Sequence, residues 1–196
     1  AGWDNGNNAA FYTPLNRSGN KNAYLDGTGN LILEARQEDS YPGATTYNGH
    51  TYTSSRMRSV QEFGGSNGTT ATGGRIEWRA KFDPIQNGVW PALWTWGTEA
   101  EWPIGGELDM LEIFGNSEGN LGASNVHYSN DTTDHPAGGT AHNVATTDWH
   151  VYAVEWKPND SPSTIRFTVD GNVVKTVSPL AYPSFNRFNQ SSSIRL

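Results

Sequence analysis

Between Gly105 and Asn116 the chain reads Gly-Gly-Glu-Leu-Asp-Met-Leu-Glu-Ile-Phe-Gly-Asn, which sets carboxylates at 107, 109 and 112 into an otherwise apolar stretch. Few conformations accommodate that pattern. Side chains of an extended strand alternate between faces, so Glu107 and Asp109 share one face while Leu108 and Met110 take the other. Strict alternation would then send Glu112 to the apolar side, where an unpaired ionised carboxylate is costly. One additional residue at Met110-Leu111, a β-bulge, restores parity. Glu107, Asp109 and Glu112 then share one face, and Leu108, one of Met110 or Leu111, and Ile113 share the other. The expected element is a bulged strand with an acidic side and a core side.

The rest of the chain favours the same kind of structure. Gly, Asn, Ser and Thr punctuate short runs rich in β-branched and aromatic residues, such as Arg75-Ile76-Glu77-Trp78-Arg79-Ala80-Lys81-Phe82 and Ile165-Arg166-Phe167-Thr168-Val169. Such runs read as half-buried strands. Asp170-Gly171, between Thr168-Val169 and Asn172-Val173-Val174, is a hairpin turn signal. No window keeps a helical period, and Pro91, Pro103, Pro158 and Pro162 interrupt the candidates. The polar stretches from Gly64 to Gly74 and from Tyr128 to Thr147 read as loops. With 196 residues and no linker or repeat, one domain spanning 1–196 is expected.

Three acids on one face cannot all ionise near neutral pH, so one holds a proton. An ionised carboxylate beside a protonated carboxylic acid is what cleavage of a glycosidic bond requires, with Asp109 tuning its neighbours. Side chains of Glu107 and Glu112 can lean toward the ~5–5.5 Å separation of a retaining hydrolase. The acids alone also fit a solvated strand face, or a calcium site, which a sheet face is poorly shaped to enclose.

Trp90, Trp94, Trp96 and Trp102, four of the eight tryptophans, lie within thirteen residues of one another. The apolar face of a sugar ring packs on indole, which offers a large contact area with few torsions to freeze. Burial is the competing reading, with Trp90 and Trp102 the candidates to line a ligand surface. Trp94 and Trp96 are expected on opposite faces of one strand, so that at most one of them faces a ligand.

At this point the sequence resembles glycoside hydrolase family 16, and its bulged Glu-x-Asp-x-x-Glu form resembles the bacterial laminarinases. The matching segments are Gly88-Val89-Trp90-Pro91-Ala92-Leu93-Trp94, Gly106 to Glu112, and Asp148-Trp149-His150-Val151-Tyr152-Ala153-Val154-Glu155-Trp156. Leu25 to Arg36, Tyr52 to Met57, Gly74 to Lys81 and Ile165 to Gly171 extend the match in the family's order.

The resemblance implies a β-jelly-roll sandwich of two antiparallel sheets with a concave substrate cleft. It implies an endo-β-1,3-glucanase cutting internal bonds of laminarin-type glucans with retention, with Glu107 as nucleophile, Asp109 as assisting acid and Glu112 as general acid/base. His127 falls where such enzymes carry a histidine near the acid/base, a structural histidine being the other reading. Arg56 falls where the family places an arginine near the cleft, and Asn8 matches an asparagine of its early Trp-Gly-Asn-Asn segment. That early region departs in spacing and in lacking an acid after the asparagines. Relatives carry a strand before the position of Trp3 and further strands after that of Phe185, so the expectation is either a fragment or chain trimmed at both ends, or ends that are organised differently. Its tail is rich in Asn, Gln and Ser, with Ser191 to Leu196 able to begin a strand.

The alternatives are a hydrolase of mixed-linked glucan or an agar-type galactan, and a non-catalytic carbohydrate-binding sandwich. The expected partner is a neutral polysaccharide. A net charge of −7, a pI near 5.1 and the lack of a basic run argue against nucleic acid or an anionic membrane. No apolar run is long enough to span a bilayer. With no cysteine there are no disulfides and no thiol chemistry. A monomer is expected, secreted and extracellular, as a mature chain without signal peptide. No cofactor is required and no metal is assigned to the site, with room left for a structural calcium ion. His135 and His142 are expected to be solvated in their polar loop. No Gly-x-Ser-x-Gly, His-Glu-x-x-His or phosphate-binding glycine loop occurs.

Overall fold

A computed structural model describes residues 10–12, 22–37, 51–59, 74–86, 88–98, 100–114, 122–129, 133, 140–142, 144–157, 164–177 and 192–196. The chain forms two compact units, Ala1–Met57 and Arg58–Leu196. Among the described residues all regular structure is β, and none is long, apolar helix able to cross a membrane.

The first unit holds β1 (Ala10–Tyr12), β2 (Ala23–Leu25), β3 (Leu31–Leu33), β4 (Arg36–Gln37) and β5 (Tyr52–Ser54). Strand β5 lies between β1, which runs parallel to it, and β4, which runs antiparallel. Strands β2 and β3 form a hairpin whose loop closes on Asp26. Its carboxylate accepts hydrogen bonds from the backbone and side chains of Thr28 and Asn30. Buried Asn22 donates to the carbonyl of Glu34 and to Thr53 Oγ1, tying this hairpin to β5.

The second unit is a sandwich of two antiparallel sheets. One has the order β10 (Thr140–Ala141), β9 (Gly122–His127), β8 (Glu107–Ile113), β7 (Ala92–Gly97) and β14 (Ser192–Arg195). The other has the order β13 (Asn172–Val177), β12 (Thr164–Val169), β11 (His150–Lys157) and β6 (Gly74–Ala80). The hairpin at Asp170-Gly171 forms as expected, with φ of 50° and 80°. Positive φ at both central residues gives the turn the twist that antiparallel strands require, and glycine adopts it without penalty.

Alternation puts Leu93, Leu108, Ile113 and Val126 of the first sheet inside, against Ile76, Tyr152, Val154, Ile165 and Phe167 of the second. Tyr152, Val154, Ile165 and Phe167 are fully buried. Burial of each such side chain stabilises the sandwich by about 1.5–3 kcal/mol.

Two local expectations need correcting. The polar stretch from Tyr128 to Thr147 is not loop throughout, because β10 lies inside it and extends the sheet beside β9. His142, directly after β10, is 1% exposed and not solvated. Its backbone N–H donates to the carbonyl of Gly122 and its ring stacks on Tyr152, so the chain's polar composition there conceals an inward-facing residue. The strand that Ser191 to Leu196 was able to begin is present: β14 pairs antiparallel with β7, with Ser193 buried. Positions 64–73 and 135 lie outside the described residues.

The turn from β7 to β8 folds tightly. Gly97 N–H donates to the Gly106 carbonyl, and a Cβ at Gly97 would sit 1.8 Å from the carbonyl oxygen of Gly105. Backbone cannot yield as a side chain does, so Gly97→Ala is expected to lower stability by about 1–3 kcal/mol. For a chain of this size that is a fall of roughly 2–4 °C in Tm per kcal/mol, measurable by circular dichroism. An unchanged Tm would show that the turn re-forms around the methyl group.

Candidate active site

The predicted bulge is present. On one side of β8, Leu93 pairs with Leu111 and the next residue, Trp94, pairs with Asp109, leaving Met110 as the additional residue. On the other side, Asn125 pairs with Asp109 and Ala123 with Glu112. Three rows of side chains therefore cross the outer face of the sheet. Trp96, Glu107 and His127 make one, Trp94, Asp109 and Asn125 the second, and Ala92, Glu112 and Ala123 the third. The expectation that Trp94 and Trp96 take opposite faces is wrong. Residues two apart on a strand share a face, and the two rings meet edge to face at 5.7 Å on the side of the acids. Arg195 of β14 places its guanidinium 5.6 Å and 5.5 Å from the same rings.

Each glutamate has its own tryptophan. Trp102 Nε1 donates to Glu107 Oε2 at 2.6 Å, from the turn that Gly97 and Gly105 compact. Trp90 Nε1 donates to Glu112 Oε1 at 3.2 Å, while its ring packs on Phe114 with centroids 4.8 Å apart. Both indoles remain accessible, Trp90 at 61% and Trp102 at 41% exposure, enough for a further ring to stack on them. The second oxygen of Glu112 accepts a hydrogen bond from Asn125 Nδ2. Asn125 escaped the sequence reading, although its signal was present: two residues before His127 on one strand, it must share that residue's face.

Electrostatics follow from burial and crowding. Desolvation, then the charge of Asp109, push Glu107 up to about 9. With a hydrogen bond joining Glu107 and Asp109, that value belongs to the pair, which holds one proton between two carboxyl groups across the neutral range. Glu112 is also raised, first by burial and second by Asp109, against the opposing hydrogen bonds of Asn125 and Trp90. Asp109 itself is 1% exposed, and His127 Nε2 lies 3.3 Å from its Oδ2. His127 also faces the Trp102 ring at 6.0 Å. The face thus presents an acid whose pKa burial and Asp109 raise, next to a carboxyl pair that shares a single proton.

Of the remaining expected residues, Arg56 is half-buried just after β5 in the first unit. Asn8 lies outside the described residues. Among the described residues, ligand atoms of Glu107, Asp109 and His127 lie within 4.8 Å of one another, so these three are the side chains that could hold a cation here.

The class defined by this fold and site is a two-sheet β-sandwich whose bulged strand turns three acids outward among accessible indoles. The chain belongs to glycosyl hydrolases family 16, whose profile matches residues 20–194. It is 35% identical over 180 residues to a beta-glucanase of Rhodothermus marinus, covering 88% of this chain and 54% of that protein. It is 33% identical over 109 residues to glucan endo-1,3-beta-glucosidase A1 of Niallia circulans, covering 50% of this chain and 15% of that one. The chain thus spans about half the length of the first of these relatives. Among solved structures, an endo-1,3-beta-glucanase from Streptomyces sioyaensis superposes with a TM-score of 0.72 at 23% identity. That match covers 97% of this chain and 69% of the other, and it bears out the sandwich fold.

Proposed function

We propose that this chain is a retaining endo-glycosidase that hydrolyses internal β-1,3 bonds of laminarin-type glucans. The observation that carries the reading is the bulged register of β8, which sets Glu107 and Glu112 on one face with Asp109 between them. Glu107 attacks the anomeric carbon and forms a glycosyl-enzyme, as Glu112 protonates the departing glycosidic oxygen. Glu112 then takes a proton from the incoming water, which releases the sugar with its original configuration. The proton shared by Glu107 and Asp109 rests on Asp109 during attack, because the Trp102 N–H stabilises charge on Glu107. Trp90 and Asn125 orient the two oxygens of Glu112. This chemistry runs on carboxylates and water and calls on no cofactor.

The β-1,3 preference is supported by the name of the Niallia circulans relative, a glucan endo-1,3-beta-glucosidase, while the Rhodothermus marinus relative, named a beta-glucanase, supports only the glucan class. We also take the protein to act outside the cell as a monomer, since a polymer of this size is met there. Incubation with laminarin, lichenan, agarose and carboxymethylcellulose, with reducing ends followed over time, tests the substrate class. Release is expected from laminarin foremost, with products of intermediate length. Faster release from lichenan or agarose would move the specificity to mixed-linked glucan or galactan. No release, with laminarin still retarding the protein in an affinity gel, would make it a binding domain.

A further inference from the structure

The bulge that puts Glu112 on the acidic face is held from beneath. Ser124 stands opposite it in β9, between Asn125, which pairs with Asp109, and Ala123, which pairs with Glu112. Its side chain points into the core, is fully buried, and donates its hydroxyl proton to the carbonyl of Met110, the additional residue, at 3.0 Å. His142 Nε2 lies 2.7 Å from the same hydroxyl oxygen. A serine hydroxyl has one proton, and here the carbonyl takes it. The contact with His142 must therefore run the other way, with Nε2–H donating to Ser124. Burial holds the imidazole neutral by pushing its pKa down to about 4, which fits a ring with a single N–H.

The other bulge residue is fixed from the same side. Leu111 is fully buried, and its Cδ1 fills the space that a side chain at Gly122 would need, 1.9 Å from where a Cβ would stand. The backbone of His142 bonds that same Gly122. Strand β10 and the residue after it thus brace both halves of the bulge, the carbonyl through Ser124 and the leucine through Gly122.

We propose that His142 is a positioning residue for the reaction: through Ser124 it fixes the β8 bulge and so the placement of Glu112 relative to Glu107. The catalytic part of this inference rests on the hydrolase reading above; the positioning part does not. A bulge without its brace can relax toward regular pairing, which rotates Glu112 away from the face that Glu107 occupies. Misplacement of a reacting group by about 1 Å costs up to roughly 100-fold in rate.

The test compares His142→Gln, whose amide nitrogen can reach the position of Nε2, with His142→Leu, which fills the core but donates nothing. Ser124→Ala and the Ser124→Ala/His142→Leu double variant complete the set. Turnover of laminarin is measured beside hydrogen exchange of the β8 amides. His142→Leu is expected to lower kcat by about 10- to 100-fold with KM unchanged and to speed exchange around Met110. His142→Gln should keep kcat near that of the parent. The double variant should be no worse than His142→Leu, because both changes break one chain of bonds.

Equal losses in the Gln and Leu variants, multiplying losses in the double variant, or unaltered kcat and exchange in His142→Leu would each overturn the proposal. If His142→Leu does not fold, Ser124→Ala, which removes a single oxygen, decides the matter by the same readouts. If the parent turns over no glucan, the hydrolase reading fails and the exchange measurements still decide whether His142 braces the bulge.

Discussion

Glu107→Ala is expected to lose polymer hydrolysis by about 10⁴-fold or more, the upper end of what one positioned catalytic group supplies. The expectation rests on placement. Glu107 is the glutamate paired with Asp109, and its carboxylate is met by the Trp102 N–H at 2.6 Å. Alanine removes the atom that bonds to the anomeric carbon but leaves Glu112 and its two donors untouched, so the proton-donating half of the machinery survives. A small anion can then occupy the vacated volume. Azide, supplied with an activated aryl β-glucoside oligomer, should restore cleavage and yield a glycosyl azide of inverted configuration, since a single displacement replaces two. The product is assigned by proton NMR from the anomeric coupling. Turnover of laminarin within about tenfold of the parent would remove Glu107 from the reaction, because no side chain effect smaller than ~1.4 kcal/mol is expected of a nucleophile.

Much of this site was legible in the chain because it depends on parity. Three acids at 107, 109 and 112 can share a face only if one residue is added between the second and third, and the register places that residue at Met110. The strands around Ile76 and Phe167 were equally readable, since β-branched and aromatic residues alternate there with exposed charges such as Arg75, Glu77 and Arg166. Misreading began where the same rule was not applied, at Trp94 and Trp96, two apart and therefore on one face. Other features were hidden for a different reason. His142 sits in a stretch of Gly, Thr, Ala and Asn whose composition signals solvent, and its burial is decided by a strand two residues long pairing with β9. Asn125 gained its meaning from Glu112 across the ladder, a contact set by a register that no local pattern specifies. Local alternation predicts faces; pairing decides which faces meet.

Glu112 should be separable from Glu107 by the step it serves. Glu112→Ala is expected to slow laminarin hydrolysis by about 10²–10⁴-fold, the usual contribution of general acid–base catalysis. An activated aryl glycoside departs without protonation, so its first step should be nearly normal in this variant, and the glycosyl-enzyme should accumulate because no base activates water. Azide needs no deprotonation. It should therefore accelerate turnover and give an azide of retained configuration, opposite to that from Glu107→Ala. Protonation can be read independently from the basic limb of the kcat/KM profile, where loss of the Glu112 proton ends the first step. Burial raises that pKa, while the hydrogen bonds from Asn125 and Trp90 favour the charged form and oppose the rise. Removing one of those donors must raise it further. Asn125→Ala should accordingly move the basic limb to higher pH, whereas a residue that merely supports the strand would lower the whole profile without displacing it. A limb that stays in place in Asn125→Ala, or an inverted azide from Glu112→Ala, would assign the proton to another group and exchange the roles of the two glutamates.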